Sequence, residues 1–491
     1  MQRSKKVVVI GSGFAGISAA CSLAQKGYQV TVLEKNESPG GRASSYRAEG
    51  FTFDMGPSWY WMPDVFESFF KRFGSSVAAH YDLKRLDPGY RVFFEGEEQY
   101  DIPASTKELS ALFESLEPGS SRNLTRFLEE AGEKYDAGIN DFVYRPGLSI
   151  WEFIDYKLLG KLFKLQLFTS VRKHVYSLFK NDRIRKILEF PVYFLGALPQ
   201  NTPALYTLMN YADLQLGTWY PMGGMYKIVE GMVSVAESLG VKFIYNQEVK
   251  ELKIADGNIT HAVTANATYQ ADIVVGAADY HHVEQRLLPQ QYQEYNEQYW
   301  ESRVMAPSSL IFYLGVDRKL ENLQHHNLFF DASFEQFGDE IYNQARWPEK
   351  PLFYVCAPSV TDSSVAPAGS ENLFILIPLA PGMEDNNALR ENCYKQVMER
   401  LEQLTGQSIA EHVVYKKSFA INDFKDRYNS FKGNAYGLAN TLMQTAVFKP
   451  SLKSKKVHNL YYTGQLTVPG PGVPPSIISG YVVAEEIGKR G

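Results

Sequence analysis

The chain has 491 residues, of which 45% are apolar and 21% charged, and its formal net charge is −5. That length excludes a small binding module and favours two or more lobes, while the composition excludes a disordered or fibrous chain. A weakly acidic balance gives no reason to expect a polyanion, so no nucleic-acid partner is expected. Cys21, Cys356 and Cys393 lie far apart with no Cys/His ligand spacing, so neither a metal site nor a disulfide framework is expected. The 31 Tyr and 30 Phe leave two readings open: large core residues, or rings lining a long apolar ligand cavity.

Taken in chain order, Lys6–Ile10 reads as a buried parallel strand. Its apolar run meets glycine after four residues, too short for a signal peptide, and no stretch approaches the roughly 20 apolar residues of a spanning helix. The cytoplasm is the expected compartment. Gly11-Ser-Gly13-Phe14-Ala15-Gly16 then turns the strand into a helix running to about Lys26, apolar at Ile17, Ala20, Leu23 and Ala24. Gly11 permits the tight turn, Gly13 lets a phosphate approach the backbone, and Gly16 lets helix and strand pack closely. Gly27 ends the helix, Gln29–Leu33 reads as a second strand, and Glu34 stands at its end as a ribose-hydroxyl acceptor, followed by Lys35. This is a complete dinucleotide-binding βαβ unit.

Ser38-Pro-Gly40-Gly41-Arg42 follows closely, a turn able to set a guanidinium against the phosphates. Here the sequence resembles the large flavin family that includes amine oxidases, protoporphyrinogen oxidase and carotenoid desaturases. Phe53-Asp-Met-Gly56-Pro57-Ser58 resembles the desaturase segment that passes near the isoalloxazine ring. Trp219–Met225, an amphipathic helix with Ile228, Met232, Val235 and Leu239, and strands at 241–245 and 249–252 resemble the second cofactor-binding stretch. The resemblance implies FAD as cofactor, the Val249 backbone facing the adenine, and residues 271–277 as a strand returning to the cofactor.

Near the C-terminus, Leu460-Tyr-Tyr-Thr-Gly464-Gln465 and Pro469-Gly-Pro-Gly-Val473-Pro474-Pro475-Ser476-Ile477 are the most diagnostic match to the desaturases. The proline-glycine run forbids regular structure until Pro475 or Ser476, where a helix is expected to start with its positive end toward the ligand. Phe312–Gly315, His325-His326-Asn327, Pro358-Ser359 and Leu376–Pro378 resemble further landmarks, so the resemblance spans essentially the whole chain. Adjacent residues on a strand point to opposite faces, so His325 and His326 are expected to have structural or surface roles.

The expected fold is α/β, with a discontinuous Rossmann-like FAD-binding domain from residues 1–104, 205–290 and 445–491. A helical lobe at 105–204, facing substrate and membrane, and an α+β substrate domain at 291–444 complete it. Lys157, Lys161 and Lys164 share one face of an otherwise apolar helical stretch, a pattern suited either to a membrane interface or to a lid with a solvated stripe. The resemblance implies hydride removal from a long polyene, such as a carotenoid dissolved in a bilayer, and reoxidation of FAD by oxygen or a quinone. The leaning is toward enzymes like the 1-hydroxycarotenoid 3,4-desaturases, with phytoene-type desaturases next. A carotene cis–trans isomerase or a non-catalytic isoprenoid carrier on the same fold are the alternatives. A delocalised polyene cation needs only a weak base, and Glu152 is the candidate acid–base residue, with a plain helix-start carboxylate as its other reading.

Overall fold

The computed structural model describes residues 4–96, 98–149, 152, 165–193 and 198–489. Strand β1 (Lys6–Ile10) sends Val7 and Val9 into one apolar cluster and Val8 and Ile10 into another, as a strand covered on both faces must. It pairs in parallel with β2 (Gln29–Leu33) across helix α1 (Phe14–Gln25). Among the described residues, a five-stranded parallel sheet has the order Leu460–Tyr462, Ile273–Gly276, β1, β2, Lys242–Ile244. One sheet therefore gathers strands from both ends and the middle of the chain.

The C-terminal helix α2 (Val473–Gly488) lies against α1. A Cβ on Gly480 would stand 2.3 Å from Ala15 O and 2.7 Å from Ala19 N, so only glycine permits this approach. The Ser18 hydroxyl donates to Ile477 O at 2.6 Å and fixes the register of the two helices.

A second, mixed sheet has seven strands among the described residues. Two of them line up side by side at its centre, β3 (His326–Phe330) and β4 (Phe353–Cys356). The full order is Val413–Phe419, Ser308–Val316, Glu371–Leu379, β4, β3, Tyr90–Phe94, Gln99–Ile102. Leu310, Phe312 and Leu314 pack with Val397 and Leu401 of the helix Asn387–Thr405, while Ile311 and Tyr313 face the main core. The hairpin at 90–102, expected with the cofactor-binding segment, instead edges this second sheet. Tyr90, Val92 and Phe94 of this strand face the main core, and the strand pairs in parallel with β3, with Phe93 stacked on Phe329.

The first insertion is helical where described, with helices Thr106–Leu116, Ser120–Ala137, Val171–Leu178 and Asp182–Tyr193. Lys157, Lys161 and Lys164 lie outside the described residues. Among the described residues no helix is long and apolar enough to cross a membrane.

Candidate active site

The turn after β1 is held by a hydrogen bond from Gly11 N to Leu33 O at 2.8 Å. A Cβ on Gly16 would lie 2.1 Å from Gly11 O, so the close packing expected of this glycine is a steric necessity. Gly13 caps α1 with no side chain closing the helix end, and the space where its Cβ would stand is open. The first N–H groups of α1 thus remain available to an anion. Gly11, Gly13, Phe14 and Ala15 line a cavity of about 770 Å³, and Gly16 stands behind its wall.

Glu34 is buried at the end of β2. Its Oε2 accepts from Ser12 N at 2.8 Å and Ser12 Oγ at 2.6 Å, and its Oε1 accepts from Asn36 N and Nδ2, both at 2.9 Å. The carboxylate is thereby fixed on the cavity wall beside Lys35, whose Nζ donates to Asn429 Oδ1 at 3.0 Å. Val249 lines the same end with Gln247 and Glu248.

Gly40 and Gly41 both have positive φ, at 107° and 55°, and carry the chain into Arg42. Gly56 crosses close behind, where a Cβ would meet Arg42 O at 2.4 Å. Gly41, Arg42, Gly56, Pro57 and Ser58 all line the cavity. One Arg42 Nη donates to Ser430 Oγ and to Asn434 O, while its buried Nε has no partner among the described residues. Burial holds the nearby Asp279 carboxyl above its ordinary range, against the pull of the Arg42 charge. An uncapped helix end, a fixed acceptor at the end of β2 and an unpaired guanidinium N–H form the donor and acceptor set that a pyrophosphate-linked dinucleotide needs, and FAD fits it.

The C-terminal strap closes the cavity. Gly464, Gly470 and Gly472 have φ of 112°, 139° and 109°, conformations that only glycine adopts without strain. The helix begins at Val473, earlier than Pro475, because proline is tolerated throughout the first turn, where N–H groups lack helical partners anyway. Ser479 Oγ accepts from Gly464 N at 3.0 Å and pins the strap to α2. Gln465 Nε2 donates to Asn434 Oδ1 at 3.0 Å. Gly464, Gln465, Val473, Pro474 and Ser476 line the cavity. Ile477 does not, being buried against α1 through its carbonyl.

The same cavity continues into apolar space bounded by Ile139, Phe142, Leu167, Tyr206 and Leu208, from the helical insertion and the segment after it, and by Tyr354 of β4. No motif marks these residues in the sequence; only their apolar character is visible there. Tyr354 Oη stands 3.0 Å from Ser58 Oγ and 2.6 Å from His326 Nδ1, and the His326 ring stacks on Trp59 at 4.0 Å. His325 precedes β3, so strand alternation does not separate the two imidazoles. Both rings are buried, their centroids are 4.5 Å apart, and His325 Nδ1 bonds Thr361 Oγ1 at 2.8 Å. A surface role for the pair is thereby overturned.

Glu152 is not brought to the cavity. Its carboxylate accepts the N–H groups of Gly147, Leu148 and Ser149 at 2.9, 2.9 and 3.0 Å, which closes a turn away from the cavity lining.

Residues 14–488 match the flavin containing amine oxidoreductase family. A carotenoid 3,4-desaturase of Haloarcula japonica is 41% identical over 98% of this chain and 97% of its own length. A zeta-carotene-forming phytoene desaturase of Myxococcus xanthus is 30% identical over 99% of this chain and 94% of its own. Among solved structures, an oxidoreductase from Methanosarcina mazei aligns with a TM-score of 0.65 at 17% identity, covering 98% of this chain and 100% of that one. A CLA-producing fatty acid isomerase from P. acnes aligns at 0.61 and 14% identity, covering 100% and 99%. At such identities these two likenesses establish the fold alone. The chain is an FAD-dependent oxidoreductase of the flavin containing amine oxidoreductase family, and within it belongs with the carotenoid desaturases.

Proposed function

We propose that this protein desaturates a long carotenoid polyene, removing a hydride and a proton from neighbouring carbons so that a new double bond extends the conjugation. Reactions of the 3,4-desaturase and phytoene-desaturase kinds are its two leading forms. The observation that carries this reading is that one cavity joins the phosphate-cradling turn to a long apolar space. Bound FAD supplies the hydride acceptor. The chain's own residues do the rest. Arg42 and the α1 end bind the cofactor's phosphates, and the uncapped α2 end places positive partial charge at the strap. The apolar wall holds the polyene in line and excludes water. In this division of labour the parallel-sheet segments hold FAD, while residues of the helical insertion, the segment at 205–209, the second sheet and the stretch at 445–448 enclose the polyene.

A peripheral membrane position belongs to the same proposal. Phe448 both lines the cavity and is 49% exposed, so the cavity opens there. Phe168 follows the lining residue Leu167 and is 96% exposed. An apolar mouth of this kind suits entry from a bilayer, with Lys157, Lys161 and Lys164 at the lipid phosphates. Replacing the three lysines by glutamine is expected to weaken binding to anionic vesicles; unchanged binding removes the lysines from the proposal.

The deciding experiment incubates FAD-loaded protein in liposomes with phytoene, a 1-hydroxylated carotene and a cis-lycopene. A red-shifted product lighter by two hydrogens is expected. A product of unchanged mass and altered geometry would make the protein an isomerase instead. Restoring the oxidised spectrum of the reduced protein with oxygen or with a quinone identifies the electron acceptor.

A further inference from the structure

We propose that Ser58, Tyr354 and His326 form the relay that removes the proton of the desaturation step, with Ser58 Oγ as its entry and His326 Nδ1 as its terminus. The inference rests on the desaturase reading and supplies what that reading lacks, since Glu152 is committed to a turn.

Ser58 and Tyr354 both line the cavity, Ser58 in the segment that follows Gly56-Pro57 and Tyr354 on β4. The Tyr354 oxygen is 3.0 Å from Ser58 Oγ and 2.6 Å from His326 Nδ1. The three groups thus run unbroken from the cavity wall to a fully buried imidazole. A phenol has one hydrogen and here has three neighbours that can share it, Ser58, His326 and the Cys356 thiol; the Cys356 thiol is held protonated by burial, so the exchange that matters is between Ser58 and His326. With it directed at Ser58, His326 donates from Nδ1. With it directed at His326, Ser58 donates to the phenol oxygen, and the chain is set to carry a proton inward.

After hydride departure the substrate is a delocalised cation. The C–H bond on the neighbouring carbon breaks and its electron pair becomes the new double bond. The proton passes to Ser58 Oγ, the Ser58 hydrogen passes to Tyr354, and the Tyr354 hydrogen passes to His326 Nδ1, leaving an imidazolium. The face of Trp59, stacked at 4.0 Å and 11°, receives that charge. Burial raises the Tyr354 pKa and lowers that of His326, so both rest neutral and neither is a strong base. A polyene cation is acidic enough for a weak acceptor. The same burial makes His326 release the proton once the product leaves and water re-enters.

The test compares the wild type with Tyr354→Phe and His326→Phe, each of which keeps the ring, and with the double variant, in liposomes containing the substrate. FAD content and thermal midpoint verify folding. Each single variant is expected to slow double-bond formation by about 100-fold or more with KM unchanged. The double variant should be no slower than either single one, because each breaks the same chain, and the wild-type solvent isotope effect should vanish. A fraction of stranded cation, captured by water, should appear as substrate carrying one added oxygen. Variants that desaturate at the wild-type rate with the wild-type isotope effect overturn the relay alone, as do additive losses with that effect intact. A wild type that oxidises no polyene overturns the desaturase reading and the relay with it.

Discussion

Arg42 is the residue on which the proposed cofactor site is most open to test, since it lines the cavity with a buried N–H that no described residue accepts. Its planar guanidinium is buried with Nε unpaired among the described residues, and a lysine cannot reproduce both the wall contacts and the free N–H. Arg42→Lys is therefore expected to weaken FAD binding by about 10–100-fold, the equivalent of one or two charge-assisted hydrogen bonds, as read from quenching of flavin fluorescence. Asp213 shows how a buried carboxyl shapes pH dependence. It accepts from Tyr90 Oη and Thr218 Oγ1 at 3.1 Å each, and burial pushes its pKa up from 3.8 to about 7. The folded state therefore holds a proton between those values where the unfolded chain does not, so stability declines as pH rises through that window. Asp213→Asn, neutral throughout, should match the wild type at pH 4. By pH 8 it should exceed the wild type by up to about 4 kcal/mol, the scale of three pKa units, measured by urea denaturation at both pH values.

Between elements, the decisive contact is that of α1 with α2. Both helices are legible in the sequence, the first from the glycine turn before it and the second from its proline-rich entry. Their direct packing is not, because Gly480 is an ordinary mid-helix glycine until the two backbones are seen to touch. Gly480→Ala would drive a methyl into Ala15 O and Ala19 N. A loss of about 1–3 kcal/mol is expected from overpacking, with FAD retention reduced because α1 carries the phosphate site; denaturant midpoints and the flavin-to-protein absorbance ratio report the two effects. The start of α2 departs from the sequence expectation for a local reason, the tolerance of proline in a first helical turn, whereas the pairing of Tyr90–Phe94 with β3 depends on which partner the strand meets, and local propensity is silent on that.

For the whole molecule, FAD couples parts of the chain that are remote in sequence. The cavity proposed to hold it is lined by residues 11–15, 34–36, 40–42, 56–58, 249, 464–466 and 468–476, which only the folded state brings together. Removal of FAD is therefore expected to lower the thermal midpoint in proportion to ligand loading. At a free concentration 100 times the Kd the stabilisation amounts to about 2.7 kcal/mol, and calorimetry across an FAD titration checks it.

What the sequence determined by itself was the nucleotide chemistry. Gly11, Gly13, Gly16 and Glu34 lie within one βαβ unit, where spacing of a few residues dictates geometry. The Pro469–Ser476 strap was legible for the same local reason. Tertiary structure alone decided the substrate side. The apolar wall, the meeting of Ser58 with Tyr354 and His326, and the withdrawal of Glu152 into a turn join residues up to 296 positions apart. No local pattern encodes such a meeting, because it follows from where the two sheets and the inserted helices come to rest against one another.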